Sequence, residues 1–121
     1  MNEDLKTQSQ ELLHCIAKAR GRGNQPLPPD ALMMIAEEII SRQAFYISLL
    51  IEAETKYRQR ILGIQDEEKK SFNAAENKAR TEETYATYKK AQYVYDLASE
   101  QVLLIKRMMQ SQDYERRQQR W

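Results

Sequence analysis

The stretch from residue 73 to residue 118 limits the possible folds of this chain most, because it contains neither glycine nor proline. It is rich in alanine, glutamate, lysine, glutamine and arginine, which have high helix propensity. As a single helix it would be roughly 70 Å long, whereas a compact domain of this size has a radius of gyration of only about 14 Å. We therefore expect the helix to break, to protrude, or to pack along another long helix or another subunit.

Apolar residues within this stretch recur at alternating spacings of three and four residues, a rhythm typical of a coiled-coil seam. The residues of this seam are Tyr88, Ala91, Tyr95, Ala98, Val102, Ile105 and Met109. The same rhythm occurs in an earlier segment, residues 30–62. This second seam consists of Leu32, Ala36, Ile39, Gln43, Tyr46, Leu50, Ala53 and Tyr57. The two seams predict two long helices that pack side by side.

Gly63 is the predicted turn between these helices. A break there allows an antiparallel hairpin that pairs both seams within one chain, which an unbroken helix achieves only between chains. The alternative is a helix that continues through Gly63, because a glycine inside a helix costs only about 1 kcal/mol. The start of the last helix is open between the acidic residues 66–68 and Asn73, which together with Glu76 resembles a capping box.

The segment GRGNQPLPP, residues 21–29, is the one clear linker, because its glycines and prolines cannot continue a helix. It separates an N-terminal amphipathic helix or arm, residues 1–20, from the long helical hairpin, residues 30–121. The predicted fold class is all-α. We expect an elongated antiparallel helical hairpin of two long helices, with a short N-terminal helix and coiled-coil-like seams.

Charge and cysteine content bound the setting of the protein. The formal net charge of +1 gives no global field that would require a polyanionic partner. Cys15 is the only cysteine, which is compatible with a reducing, intracellular compartment. The longest apolar run, residues 44–51, is far shorter than the ~20 residues needed to span a bilayer, and the polar N-terminus does not resemble a signal peptide. We expect a cytoplasmic protein without membrane contact.

The sequence contains no arrangement that indicates catalysis. His14 and Cys15 are adjacent, so on a helix they point about 100° apart and do not form a two-ligand metal face. A catalytic cysteine–histidine pair meets across a fold, and adjacency in sequence gives no support for one. The glycines at 21 and 23 lead into prolines, unlike a phosphate-binding loop. We predict no enzymatic activity, no catalytic or metal-binding residues and no cofactor.

Residues 45–51 are apolar on nearly every side of the second helix, and such a helix must be covered on more than one side. The last helix and the N-terminal helix can cover part of this surface, and a neighbouring subunit can cover the rest. We therefore predict a homo-oligomer. The predicted interface residues are Phe45, Tyr46, Leu49, Leu50, Tyr88, Tyr95, Val102 and Ile105.

Many basic residues lie four positions after an acidic one, as in Glu54–Arg58 and Glu76–Arg80, and these pairs stiffen exposed helices. Basic residues without such a partner are candidates for nucleic-acid binding, since cations mixed with aromatic residues bind single strands. These candidates are Lys89, Lys90, Lys106, Arg107, Arg116 and Arg120. The alternative for those near the end of the last helix is a favourable interaction with the helix dipole.

Several short runs in the last two thirds of the chain carry a resemblance to a known family. They are Glu76-Asn-Lys-Ala79-Arg80, Tyr85-Ala-Thr-Tyr88-Lys89-Lys90-Ala91, Asp96-Leu97-Ala98 and Ile105-Lys106. In their order they resemble the C-terminal half of small helical phage-encoded recombination mediators of the UvsY type, over residues 45–115. The resemblance implies an oligomeric accessory protein in phage DNA recombination, located in the host cytoplasm. Such a protein binds single-stranded DNA and helps to load a recombinase onto it.

Two functions therefore remain open. The first is a non-enzymatic oligomeric assembly protein that acts as a recombination accessory factor and binds single-stranded DNA and a recombinase. The second is a structural or adaptor protein that self-associates through its helices and binds another protein, without nucleic acid.

Overall fold

The computed structural model, which describes residues 2–20 and 27–119, consists of helices joined by short connections. In chain order they are α1 (Asn2–Arg20), α2 (Pro29–Glu68), α3 (Phe72–Ala79) and α4 (Glu83–Gln119). The two long helices, α2 and α4, pack against each other along much of their length. The predicted all-α helical hairpin is confirmed.

The hairpin is antiparallel, as two hydrogen-bonded pairs show, one between α2 and α4 and one between α2 and Glu82, the residue before α4. The Gln43 amide donates to Ser99 Oγ at 3.4 Å, and Arg60 Nε donates to Glu82 Oε2 at 2.6 Å. Residue numbers therefore rise along α2 as they fall along α4. All residues of the two predicted seams are buried or partly buried. The heptad-like rhythm thus identified correctly the faces that α2 and α4 turn to each other.

The predicted turn at Gly63 is wrong, because α2 continues through this residue to Glu68. Ile61 and Ile64, on either side of the glycine, are buried against α3. Burying one isoleucine contributes about 1.5–3 kcal/mol, which exceeds the cost of about 1 kcal/mol for a glycine within a helix. The helix ends instead at Glu68 and is capped by Lys69, which has a left-handed backbone with φ of 52°.

The glycine-free stretch 73–118 breaks, as one of the expected outcomes, into α3 and α4. The N-cap of α3 is Ser71, whose Oγ accepts a hydrogen bond from the Ala74 amide at 3.3 Å. The sequence left the start of this helix open between the acidic residues 66–68 and Asn73. The observed cap lies between these two positions, two residues before Asn73. Between the helices the Thr81 amide and hydroxyl both donate to the Lys78 carbonyl, which turns the chain towards α4.

The N-terminal helix α1 packs against both long helices. It contributes to the main core the buried side chains of Leu5, Leu12, Cys15, Ile16 and Ala19. A smaller second core lies where α2, α3 and α4 meet. It is built from Tyr57, Ile61, Ile64, Ala75 and Ala79, with Tyr85 and Tyr88 packed against it. Most of the linker, residues 21–26, lies outside the described residues.

Candidate interaction surfaces

The residues predicted to form an oligomer interface lie mostly inside the single chain. Tyr46, Leu49, Val102 and Ile105 are buried in the main core. The partly buried residues Leu50, Tyr88 and Tyr95 pack against it. Phe45, at 44% exposed, is the one of the eight that the chain leaves open. The seam residues therefore serve the pairing of α2 with α4 and with α1.

A different set of apolar side chains on α2 is exposed, and we call it the α2 stripe: Met33, Ile40, Ile47 and Ile51. These side chains are between 41% and 60% exposed. Their spacings of seven, seven and four residues keep them on one face of a helix, as in a second heptad pattern. From the sequence, Ile35, Ile47 and Ile51 were expected to form a second stripe that widens the apolar face; the structure buries Ile35 and places Met33 and Ile40 with Ile47 and Ile51 instead.

On α4 the apolar side chain of Leu103 is exposed as well. Because Gln43 lies beside Ser99 in the antiparallel hairpin, Leu103 is at the level of residues 39 and 40 on α2. Ile40 and Leu103 therefore stand at the same height along the bundle. By contrast, α1 is held on another side of α2, where Arg42 forms an ion pair with Glu11. The α2 stripe is thus an uncovered face of the bundle formed by the described residues.

The four predicted nucleic-acid residues whose side chains are described do not form one patch on a single chain. The side chains of Lys89, Lys90, Lys106 and Arg107 are all exposed. Lys89 and Arg107 share one face of α4, about 27 Å apart along its axis. Lys90 and Lys106 point about 160° apart around the same helix, at 100° per residue. The side chain of Arg116 and the whole of Arg120 lie outside the described residues.

A cleft of about 480 Å³ opens where α2, α3 and α4 meet, and we call it the tyrosine cleft. Its aromatic wall is formed by Tyr57, Phe72, Tyr85 and Tyr88. The Tyr57 ring stacks on Tyr88 with a centroid distance of 5.5 Å and lies tilted against Tyr85 at 5.2 Å. Sequence reasoning did not find this site, because its walls come from three helices whose packing had to be known first.

Charged side chains line the tyrosine cleft as well: Arg58, Glu76, Arg80 and Lys89. Arg58 Nη2 forms an ion pair with Glu54 at 2.7 Å, and Arg80 pairs with Glu76. The pKa of Arg80 is raised, mainly by a hydrogen bond to Tyr57 and secondly by the charge of Glu76. The site therefore holds three cations against one carboxylate.

Lys89 differs from the two arginines of the cleft in its surroundings. Its Nζ lies 5.6 Å from the ring centroid of Tyr85 and 5.4 Å from that of Tyr88. It also donates a hydrogen bond to Gln92 Oε1 at 3.3 Å. These partners are neutral, so among the described residues Lys89 has no carboxylate at ion-pair distance.

A polar cluster joins α1 to α2 on the other side of the bundle. Arg42 bridges Glu11 on α1 and Glu38 on α2. Burial, followed by the nearby charge of Glu38, raises the pKa of the Cys15 thiol, so the neutral thiol is favoured. Burial likewise raises the pKa of Tyr46. A reactive cysteine requires a lowered pKa and access to solvent, and Cys15 has neither. The cluster therefore serves to hold α1 against α2.

His14, adjacent to Cys15, is exposed and lines a shallow groove beside Glu11 and Arg42. Within the described part of the chain, no three histidine, cysteine, aspartate or glutamate side chains come together as metal ligands. Over the same residues, no helix is both long enough and apolar enough to cross a membrane. No protein family, curated protein or solved structure matches this chain.

Proposed function

We propose that the protein is a non-enzymatic structural or adaptor protein that self-associates through its helices. The observation that carries this proposal is the exposed α2 stripe. Isolated apolar residues on a surface are ordinary, but a contiguous apolar face marks an interaction site. Here four large exposed side chains recur along one side of a single helix.

The occupant that we propose for the α2 stripe is the same stripe of a second copy. A surface with heptad spacing is complementary to another helix with heptad spacing, and this chain supplies one itself. In a two-fold symmetric dimer the same patch faces itself, so Ile40 and Ile47 of one subunit pack near Ile47 and Ile40 of the other.

The test is a measurement of mass by light scattering behind a sizing column at micromolar concentration. We expect the wild-type protein to exceed the 14.3 kDa of one chain. The double substitution Ile40→Lys with Ile47→Lys places charges in the centre of the stripe and should give a monomer. Both side chains are exposed, so the variant should keep its helical circular dichroism.

The matched control is Phe45→Lys, an exposed apolar side chain that points away from the α2 stripe. We expect this variant to keep the mass of the wild type. A wild-type monomer would refute self-association. A monomer produced by Phe45→Lys but not by the double substitution would show that the subunits meet on another face.

Single-stranded nucleic acid is a second candidate ligand, favoured by Lys106 and Arg107. Both are exposed, and neither forms an ion pair with another described residue. Since the basic residues of one chain point in different directions, a strong site requires assembly to bring them together. Fluorescence anisotropy with a labelled single strand and its duplex, at low and near-physiological salt, tests this function.

We expect recombination-accessory activity to appear as tighter binding of the single strand with a steep salt dependence, since phosphate neutralisation releases counterions. The substitutions Lys106→Glu and Arg107→Glu should weaken this binding. Absence of binding even at low salt would remove nucleic acid from the function and leave the adaptor role.

A further inference from the structure

The tyrosine cleft has the size and the location of a small-molecule site. Ligand sites have volumes of about 300–1,000 Å³ and commonly lie between the helices of a bundle. The cleft, at about 480 Å³, falls within this range and lies between α2, α3 and α4. Its position at the turn of the hairpin is separate from the central part of α2 that carries the stripe.

The lining of the cleft is adapted to an aromatic body. The rings of Tyr57, Tyr85 and Tyr88 form one continuous wall. Phe72, the first residue of α3, is 49% exposed at the cleft and so leaves much of its ring uncovered. A planar ring placed here gains stacking and edge-to-face contacts, which aromatic groups prefer at centroid distances of about 4.5–7 Å.

The charges of the cleft select an anion and limit how many negative charges it carries. Arg58 and Arg80 are already paired with Glu54 and Glu76. The remaining cation, Lys89, lies over the faces of two rings and donates to a neutral amide, with no carboxylate of the described residues at ion-pair distance. Moving its ammonium to an anion exchanges weak contacts for a charge-assisted hydrogen bond, which is the stronger kind. One available cation matches one anionic group.

From these observations we propose that the tyrosine cleft binds a small planar aromatic monoanion, such as an aromatic carboxylate. The ring lies against Phe72 and the tyrosines, and the carboxylate accepts a hydrogen bond from Lys89. A group with several negative charges fits less well, because it would have to displace Glu54 from Arg58 or Glu76 from Arg80. The site does not depend on self-association, since Lys89 and Phe72 lie outside the α2 stripe.

The probe for this site is 2-naphthoate, and the readout is its binding isotherm, measured by chemical-shift changes in the full chain. We expect saturable binding that weakens about tenfold in Lys89→Gln, which corresponds to about 1.4 kcal/mol. Lys90→Gln is the matched control, because Lys90 is the adjacent exposed lysine on another face of α4. It should leave the dissociation constant unchanged.

A neutral analogue separates the anion contact from the aromatic contact. The uncharged 2-naphthamide should bind wild type and Lys89→Gln equally, whereas Phe72→Ala should weaken both ligands. Tyr93→Ala, which removes another exposed aromatic ring outside the cleft, should weaken neither. Absence of saturable naphthoate binding at millimolar concentration would overturn the proposal. Equal losses in Lys89→Gln and Lys90→Gln would also overturn it, since they would indicate a diffuse positive field.

Discussion

Replacing Gly63 by alanine tests where the hairpin turns. In the structure Gly63 is an interior residue of α2, and a β-carbon added to it would meet no heavy atom within 4 Å beyond its chain neighbours and the adjacent helix backbone. Alanine is favoured over glycine inside a helix by about 1 kcal/mol, because glycine loses more backbone entropy on folding. We therefore expect Gly63→Ala to raise the free energy of unfolding by about 1 kcal/mol. In a domain of this size that corresponds to a rise in Tm of about 4 °C.

The assay is urea unfolding followed by far-ultraviolet circular dichroism, with the m-value compared between variants to check that the unfolding transition is unchanged. If the chain instead turned at Gly63 with a left-handed backbone, alanine would lower the free energy of unfolding by about 1–2 kcal/mol. The sign of the change in unfolding free energy therefore shows whether the chain turns at Gly63 or continues as a helix through it. Lys69→Gly is the complementary variant, because Lys69 holds the positive φ at the end of α2. It should stabilise the protein by about 1 kcal/mol.

Two further predictions concern the contacts that hold the bundle together. Replacing Leu12, which is 1% exposed, by alanine should lower the free energy of unfolding by about 3 kcal/mol, as measured by urea titration. The control Leu13→Ala, at a position that is 57% exposed, should change the free energy of unfolding by less than about 0.5 kcal/mol. Equally small changes in both variants would contradict the docking of α1. A hydrogen bond from Arg60 lowers the pKa of Glu82, so its contribution to stability is complete above the ordinary glutamate range and is lost as the pH falls through the lowered pKa. In Glu82→Gln the free energy of unfolding should therefore fall less steeply with decreasing pH in this range. The same pH dependence as in the wild type would contradict the pairing of Arg60 with Glu82.

The pairing of the helices was predictable because it depends on a repeated local pattern. Each seam repeats its spacing over several turns, so single ambiguous residues such as Gln43 do not obscure it. The turn was not predictable in the same way. The local preference of Gly63 is worth about 1 kcal/mol, and it was outweighed by the burial of Ile64, which depends on the position of α3.

The surfaces were harder to predict than the fold for a related reason. An apolar residue at helical spacing must be covered, but its spacing does not reveal whether the cover belongs to the same chain. Tyr46 and Val102 were therefore assigned to an oligomer interface, although the chain itself buries them. The tyrosine cleft required more still. Arg58 and Arg80 had been interpreted as partners in stabilising ion pairs, and only the packing of three helices places them with Lys89 around one opening.

The antiparallel arrangement also has a consequence for the order in which the protein folds. Hydrogen bonds along the hairpin join residues 22 apart for Arg60 and Glu82, 56 apart for Gln43 and Ser99, and 85 apart for Leu27 and Gln112. The entropy lost in closing a loop increases with its length, so the short loop at the turn closes most readily. Each contact formed there shortens the loop that the next one must close, and we expect the hairpin to close progressively from the turn. The same gradient predicts that Leu27 and Gln112 separate first when the protein begins to unfold, which residue-resolved hydrogen exchange would detect as the weakest protection.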